Sequence, residues 1–412
     1  MTAPQQTPET RSSINRRRFL AGTGTTALAL SILKPELVFG AGANDKIDIG
    51  LIGCGGRGKW IAKLFQNHGG YNITAVADYF QDRVDAAGEQ FQVPAASRYS
   101  GLSGYRKLLD QKLDAVVIES PPYFHPEQAA AAVDAGKHVY LAKPVAVDVP
   151  GCRTVEETGK RATAKKLVFL VDFQTRANKL YQEAAQKIRE GEIGKIISAE
   201  AAYHCGFTWD HMDQELRKAP NDPEMRLRAW GVDRVLSGDV ITEQNIHALD
   251  VACWMLDAHP AKAYGTGGRT RDFIGNCWDR FAVIFYYPEN VCVSFNSHQS
   301  GFGYDDILCR VFGLKGTVDT HYFGSVSVKS KEFHSDAKVG SLYEDGAVTN
   351  IASFHASVTG GQCENTTVPA SVRSNLTTIL GRTAAYKNTM VTWDEMLRAD
   401  EKFVADLKGL KT

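Results

Sequence analysis

The strongest constraint in the chain is a glycine cluster, Gly53-Cys54-Gly55-Gly56-Arg57-Gly58, set directly after the apolar run Ile47-Asp48-Ile49-Gly50-Leu51-Ile52. A helical pattern from about Lys59 to Asn67 follows, and a second apolar strand ends at Asp78. Strand, glycine turn, helix and strand in that order form a dinucleotide-binding βαβ unit. Gly53 makes the tight turn, Gly55 lets the backbone approach a pyrophosphate, and Gly58 lets helix and strand pack closely. Unpaired N–H groups at the helix N-terminus suit the phosphates. Asp78 lies twenty residues past Gly58, where a carboxylate accepts hydrogen bonds from ribose hydroxyls and repels a 2′-phosphate, which favours NAD over NADP. Arg83, on the next helix, is the opposing signal. Gly56 and Arg57 in the loop, with Ser120, Pro121 and His125 after a later strand, complete the candidate cofactor contacts.

The first forty-odd residues read as a leader. Asn15-Arg16-Arg17-Arg18-Phe19-Leu20 precedes a moderately apolar run, Ala21 to Leu33, and then Ala41-Gly42-Ala43. Charged region, short apolar region and A-x-A site make an export signal, and the paired arginines resemble the twin-arginine type. The apolar run is too short to span a bilayer. Cleavage after Ala43 is expected. The twin-arginine machinery exports folded proteins, so a dinucleotide would travel with its protein to a periplasmic or other extracytoplasmic compartment. No pool of free nucleotide exists there, so the cofactor is expected to be held tightly and recycled within each turnover.

A chain of 412 residues suggests two domains after the leader. Its 47 basic and 47 acidic residues cancel, which argues against nucleic acid or an anionic membrane as partner. The eight cysteines include no C-x-x-C pair, and neither a metal site nor a disulfide framework is indicated. Strand and helix alternate through Ala115 to Ser120, His138 to Leu141 and Leu167 to Val171, giving a doubly wound parallel α/β (Rossmann) sheet over residues 44–172. From 173 to 412 strands follow one another: Ile196 to His204, Ala261 to Thr266, Trp278 to Tyr286, Val291 to Ser297, Asp306 to Phe312 and Gly316 to His321. An α+β domain with a large open, mostly antiparallel sheet is expected. Helices are expected from about Glu243 to Leu256 and, closing the chain, from Trp393 to Leu407.

With Ala142-Lys143-Pro144 and Glu243-Gln244-Asn245-Ile246-His247 added to the glycine loop and Asp78, the chain resembles the glucose-fructose oxidoreductase / inositol dehydrogenase (Gfo/Idh/MocA) family. The first motif matches the family's Glu-Lys-Pro with Ala142 in place of glutamate. The second matches Asp-x-Gly-x-His with Glu243 and Asn245 in place of aspartate and glycine. The resemblance implies NAD or NADP chemistry on a small-molecule carbohydrate and a homo-oligomer. Oxidising a carbinol sends a hydride to the nicotinamide and a proton to a base, and the developing alkoxide needs a cation or donor nearby. His247 is the expected proton-transfer residue, Lys143 its electrostatic partner and a cofactor contact, and Glu243 a substrate hydroxyl acceptor sharing the His247 helix face. Asp250 either fixes the His247 tautomer or is structural. Arg176 either binds substrate hydroxyls or links the domains, and Tyr203, His204, Trp209 and Trp230 either wall a sugar site or are core. Three functions stay open: a sugar or polyol oxidoreductase, an NAD-dependent glycosidase working by oxidation, elimination, hydration and reduction, and a catalytically silent sugar-binding protein.

Overall fold

Strands β1 (Ile47–Ile52), β2 (Tyr71–Asp78), β3 (Arg98–Ser100), β4 (Ala115–Ile118), β5 (His138–Ala142) and β6 (Phe169–Asp172) run parallel in the order β3-β2-β1-β4-β5-β6. The computed structural model describes residues 46–299 and 303–412, so the expected leader and its cleavage point after Ala43 lie outside the described residues. Helices α1 (Gly56–His68), α2 (Gln81–Gln90), α3 (Gly104–Leu109), α4 (His125–Asp134) and α5 (Val149–Ala164) connect the strands. Covered on both faces, the central strands are unbroken apolar runs, and Val116, Val117 and Ile118 are wholly buried. Strand order reverses between β1 and β4, which opens a crevice outside their carboxyl ends.

After β6 come α6 (Gln174–Ala177), α7 (Lys179–Arg189), β7 (Ile196–Cys205), α8 (Asp210–Lys218), α9 (Pro223–Arg228), α10 (Arg234–Ser237), α11 (Val240–Glu243) and α12 (Ile246–Leu256). Seven strands follow: β8 (Lys262–Gly268), β9 (Arg280–Tyr286), β10 (Cys292–Gln299), β11 (Asp306–Gly313), β12 (Gly316–His321), β13 (Ser325–Ser330) and β14 (His334–Lys338). Then come α13 (Leu342–Gly360), α14 (Thr367–Lys387), β15 (Val391–Thr392) and α15 (Trp393–Ala399). The second sheet has the order β14-β13-β12-β11-β7-β10-β9-β8-β15 and is antiparallel except for the β7–β10 pair. The expected class, a Rossmann sheet followed by a mostly antiparallel one, is the class found. Helices α12 and α14 cover one face of the second sheet. On β9, Phe281, Val283 and Phe285 point into that core while Ala282 and Ile284 face outward.

Two expectations are corrected. The closing helix ends at Ala399, not Leu407: Asp400 takes a left-handed φ of 47°, and residues 401–412 run without helix back across the first sheet. The helix expected from Glu243 is two helices, broken at Gln244-Asn245. Helices α13 and α14 and strands β13 and β14 went unanticipated. In α14 the polar letters mislead, because Ser371, Ser374 and Thr377 bury their hydroxyls by donating to the carbonyl four residues back. Helix α13 returns to the first sheet, packing Ala347, Ile351 and Phe354 with Ile49, Phe65 and Tyr140. Among the described residues no helix is long and apolar enough to cross a membrane.

Candidate active site

Where β1 meets α1, Gly53 has φ +96°, and a Cβ there would lie 2.5 Å from the Glu119 carbonyl carbon and the Ser120 nitrogen. A Cβ at Gly58 would sit 1.8 Å from the Gly53 oxygen, so strand and helix can approach this closely only through glycine. By contrast, a Cβ at Gly55 would meet nothing nearer than 3.9 Å, and at Gly56 nothing at all within 4 Å, so the outer face of the turn is open. Helix α1 has no side-chain cap and no acidic residue in its first turn. Among the described residues its leading N–H groups therefore have no side-chain cap and are suited to an anionic group. Asp78 closes the turn from β2: Oδ2 accepts from the Cys54 N–H at 2.7 Å and Oδ1 from the Phe80 N–H at 3.0 Å. Burial raises its pKa, and each oxygen keeps a second lone pair for a ribose hydroxyl. These features fit a dinucleotide.

The adjoining cleft is lined by Gly53, Asp78, Tyr79, Arg83, Ser120 and Pro121, among others. Arg83 thus shares the cleft with Asp78, a proximity that helix spacing alone did not reveal. His125 is placed otherwise than expected. It is buried, with Nδ1 2.8 Å from the Pro144 carbonyl and Nε2 2.7 Å from the Ser120 carbonyl. The neutral ring donates its single N–H to one of these two carbonyls, and the side chain braces the end of β4 against the turn after β5. Arg57 is likewise engaged elsewhere, in ion pairs with Glu119 and Asp172.

Lys143 follows β5 and donates from Nζ to the Glu243 carbonyl at 2.7 Å and to Glu243 Oε1 at 3.1 Å. The break after α11 makes this contact available. In a continuous helix the Glu243 carbonyl would accept from the His247 N–H, but here that N–H goes to Gln244. Glu243 and His247 accordingly do not share a helix face, as the spacing suggested; they sit on successive helices with Lys143 bonded to Glu243. His247 is 7% exposed, and its Nδ1 has no partner among the described residues. Burial first, then Lys143 and Arg57, hold its pKa well below the usual histidine range, so the ring is neutral. Tyr322 stands edge-on to it at 5.6 Å between ring centroids. The Tyr322 hydroxyl and Asn245 Oδ1 are also buried without partners among the described residues. Buried polar atoms left open in this way suit a hydroxyl-rich ligand.

Asp250 does not steady His247. It is fully buried and takes three hydrogen bonds of 2.8–3.1 Å from Arg176, tying α6 to α12. Burial raises the pKa of the Tyr203 hydroxyl, and Cys205, Glu243, Tyr322 and Tyr343 raise it further. His204, one residue on, points to the other face of β7 and stacks on His298 at 4.3 Å. Trp230 packs with Phe80, Leu227 and Leu236 at the cofactor cleft's edge, 6.1 Å from Trp209. Sequence reasoning missed Glu119, Asp172, Tyr322 and Tyr343. Glu119 and Asp172 each carried a signal, as a charge at the end of an apolar parallel strand. Among the described residues no group of three acidic, histidine or cysteine side chains could hold a metal.

Two family models match the chain: "Oxidoreductase family, NAD-binding Rossmann fold" over residues 47–173 and "GFO/IDH/MocA C-terminal domain" over residues 181–319. An inositol 2-dehydrogenase of Salmonella typhimurium is 26% identical over 298 residues, 70% of this chain and 79% of that protein. An alpha-N-acetylgalactosaminidase of Shewanella oneidensis is 26% identical over 222 residues, 48% of this chain and 47% of its own length. The chain therefore spans about half the length of that glycosidase relative. Among solved structures, aldose-aldose oxidoreductase from Caulobacter crescentus, complexed with glycerol, superposes with a TM-score of 0.67 at 18% identity, covering 84% of this chain and 99% of that one. GenD2 from gentamicin A biosynthesis, in complex with NAD, gives 0.68 at 15% identity over 86% and 98% of the two chains. These likenesses concern the fold; the two matched models establish that the chain belongs to the Gfo/Idh/MocA family of NAD-binding oxidoreductases.

Proposed function

We propose that this protein is an exported oxidoreductase that moves a hydride between a sugar or polyol carbinol and a tightly held NAD, which is restored within each turnover. The observation that carries the reading is the meeting of Lys143, Glu243 and a neutral, unpartnered His247 beside an open glycine turn. The turn, the α1 N-terminus and Asp78 would hold the dinucleotide, which when bound supplies the hydride acceptor and donor. His247 takes the carbinol proton. Lys143, kept in place by Glu243, stabilises the developing alkoxide, and Glu243 and Tyr322 offer partners to neighbouring substrate hydroxyls. Asp78 supports NAD over NADP. Export through the twin-arginine route rests on the leader sequence, and self-association is assigned to the outer face of the second sheet, where Tyr264 and Ile284 are exposed.

The glycosidase relative favours a second reading. Oxidation, elimination, hydration and reduction leave no net redox change and need no external acceptor, which suits an exported enzyme. One experiment separates the two: purified protein is given free sugars and polyols, then aryl glycosides, while phenol release and the reduced-nicotinamide absorbance are followed. Net reduction by a free sugar supports the oxidoreductase; phenol release without net reduction supports the glycosidase. His247→Ala should abolish either turnover with nucleotide still bound, and full activity in that variant would remove His247 from the mechanism.

A further inference from the structure

The register of the first sheet places three residues in one row at its carboxyl edge. Ile118 pairs with Leu141, and Ala142 pairs with Asp172, so Glu119, Ala142 and Asp172 lie side by side at the ends of β4, β5 and β6. The side chains of Glu119 and Asp172 are both fully buried, and only a methyl group separates them in the row. The Arg57 guanidinium bridges the two carboxylates, with Nε 2.9 Å from Glu119 Oε2 and Nη2 2.7 Å from Asp172 Oδ2. Burial opposes this charge, but Glu119, Tyr343 and Asp172 keep Arg57 protonated.

One cation facing two buried carboxylates leaves a surplus negative charge, and the two acids are not equivalent. Asp172 also accepts from Gln174 Nε2 at 2.7 Å and Asn350 Nδ2 at 2.8 Å. Glu119 has only Arg57, and neither of its oxygens accepts a well-aligned hydrogen bond among the described residues. Asp172 thus has three donors and Glu119 one cation, so Glu119 is the less compensated of the two and the place for a proton. The titratable groups around it are Arg57 of α1, Tyr140 of β5, Lys143 after β5, Asp172 of β6 and Tyr343 of α13. Burial, opposed by Arg57, reinforced by Asp172 and opposed again by Lys143, brings its pKa up to about 7.

We propose that Glu119 is a further proton-holding residue of this reaction site, storing inside the protein the proton that the substrate carbinol gives up on oxidation and returning it on reduction. The inference rests on the hydride-transfer reading above. In balance, the carbinol O–H and C–H bonds break, the hydride goes to an oxidant of the nicotinamide class, and the proton ends on the Glu119 carboxylate. Lys143 and His247 touch the reacting atoms, whereas Glu119 acts through them as a positioning residue.

Two measurements test it separately. In cofactor-free protein labelled with 13C at glutamate side-chain carboxyls, one resonance should titrate near neutral pH and be missing from Glu119→Gln. Finding that Glu119 titrates with the exposed carboxylates overturns the proposal, whatever the enzyme does. If Glu119→Gln does not fold, Glu119→Asp should remove that resonance from the glutamate set while an aspartate resonance titrating near neutrality appears. In the second measurement, a single turnover with the reducing sugar is run at pH 7, where a carboxyl titrating near 7 can hold a proton, in weak buffer with an indicator dye. Wild type should release clearly less than one proton per nicotinamide reduced, and Glu119→Gln close to one. Stoichiometric release by wild type also overturns the proposal. Failure of every sugar to reduce the nucleotide would instead sink the hydride-transfer reading, leaving the carboxyl titration to decide on Glu119.

Discussion

Arg176 and Asp250 show how much a single buried pair can matter. Asp250 is wholly buried, and among the described residues Arg176 is the one cation within bonding distance of it. Arg176→Met should therefore strand an uncompensated carboxylate and cost about 3–5 kcal/mol. Adding Asp250→Asn should recover much of that loss in urea unfolding, whereas a substrate-binding role for Arg176 would leave stability nearly unchanged and raise KM. Nucleotide choice turns on a second pair. Asp78 and Arg83 share one cleft, so Arg83→Ala should weaken NADP more than NAD, and a Kd ratio that does not move would remove Arg83 from cofactor selection. Lys143 and His247 are proposed from sequence because each sits in a short motif, and the structure buries both. The partners of Arg57 could not be read from sequence, since Glu119 and Asp172 meet it only through strand order and register.

At the scale of elements, spacing rules fail where a helix breaks. Counting from Glu243 to His247 gives one helix face, but Gln244 and Asn245 interrupt it and free the carbonyl that holds Lys143. The residues beyond α15 make a second such case, because an acidic start and an amphipathic pattern read as helix while the segment packs as a strap. Its Phe403 N–H donates to Asp148 at 2.8 Å, the Phe403 ring lies 4.4 Å from the Arg382 guanidinium, and Lys411 bonds Tyr79 and Leu102 through its backbone. Tyr79 and Leu102 line the cofactor cleft. Removing residues 401–412 should loosen that wall by two hydrogen bonds of about 1 kcal/mol each, raising the Kd for NAD by up to roughly thirtyfold. An unchanged Kd by calorimetry would show that the strap only stabilises the fold. The start of α15 was legible, since Thr392 and Glu395 form a reciprocal cap, and Thr392→Ala should cost about 1 kcal/mol.

Across the whole molecule, buried groups titrate against one another. Glu119 and Asp239 are raised by burial to about 7 and about 6. Each binds a proton in the folded chain where its unfolded counterpart is ionised, so its contribution is full at low pH and lost as pH rises through those values. His125 is depressed by burial to about 4 and His247 well below its usual range. Both stay neutral in the fold while unfolded histidines protonate below about pH 6.5, so they cost stability as pH falls. Between pH 8 and pH 6 the two acids add stability, whereas these two histidines and His68, His138, His298 and His355, also lowered by burial, remove it. Six histidines oppose two acids, so wild-type stability should fall from pH 8 to pH 6. Glu119→Gln deletes one acid contribution, so its unfolding free energy should climb more steeply than that of wild type from pH 6 to pH 8, by about 1 kcal/mol. Urea titrations of both proteins at the two pH values measure this directly, and parallel profiles would mean that Glu119 is ionised throughout.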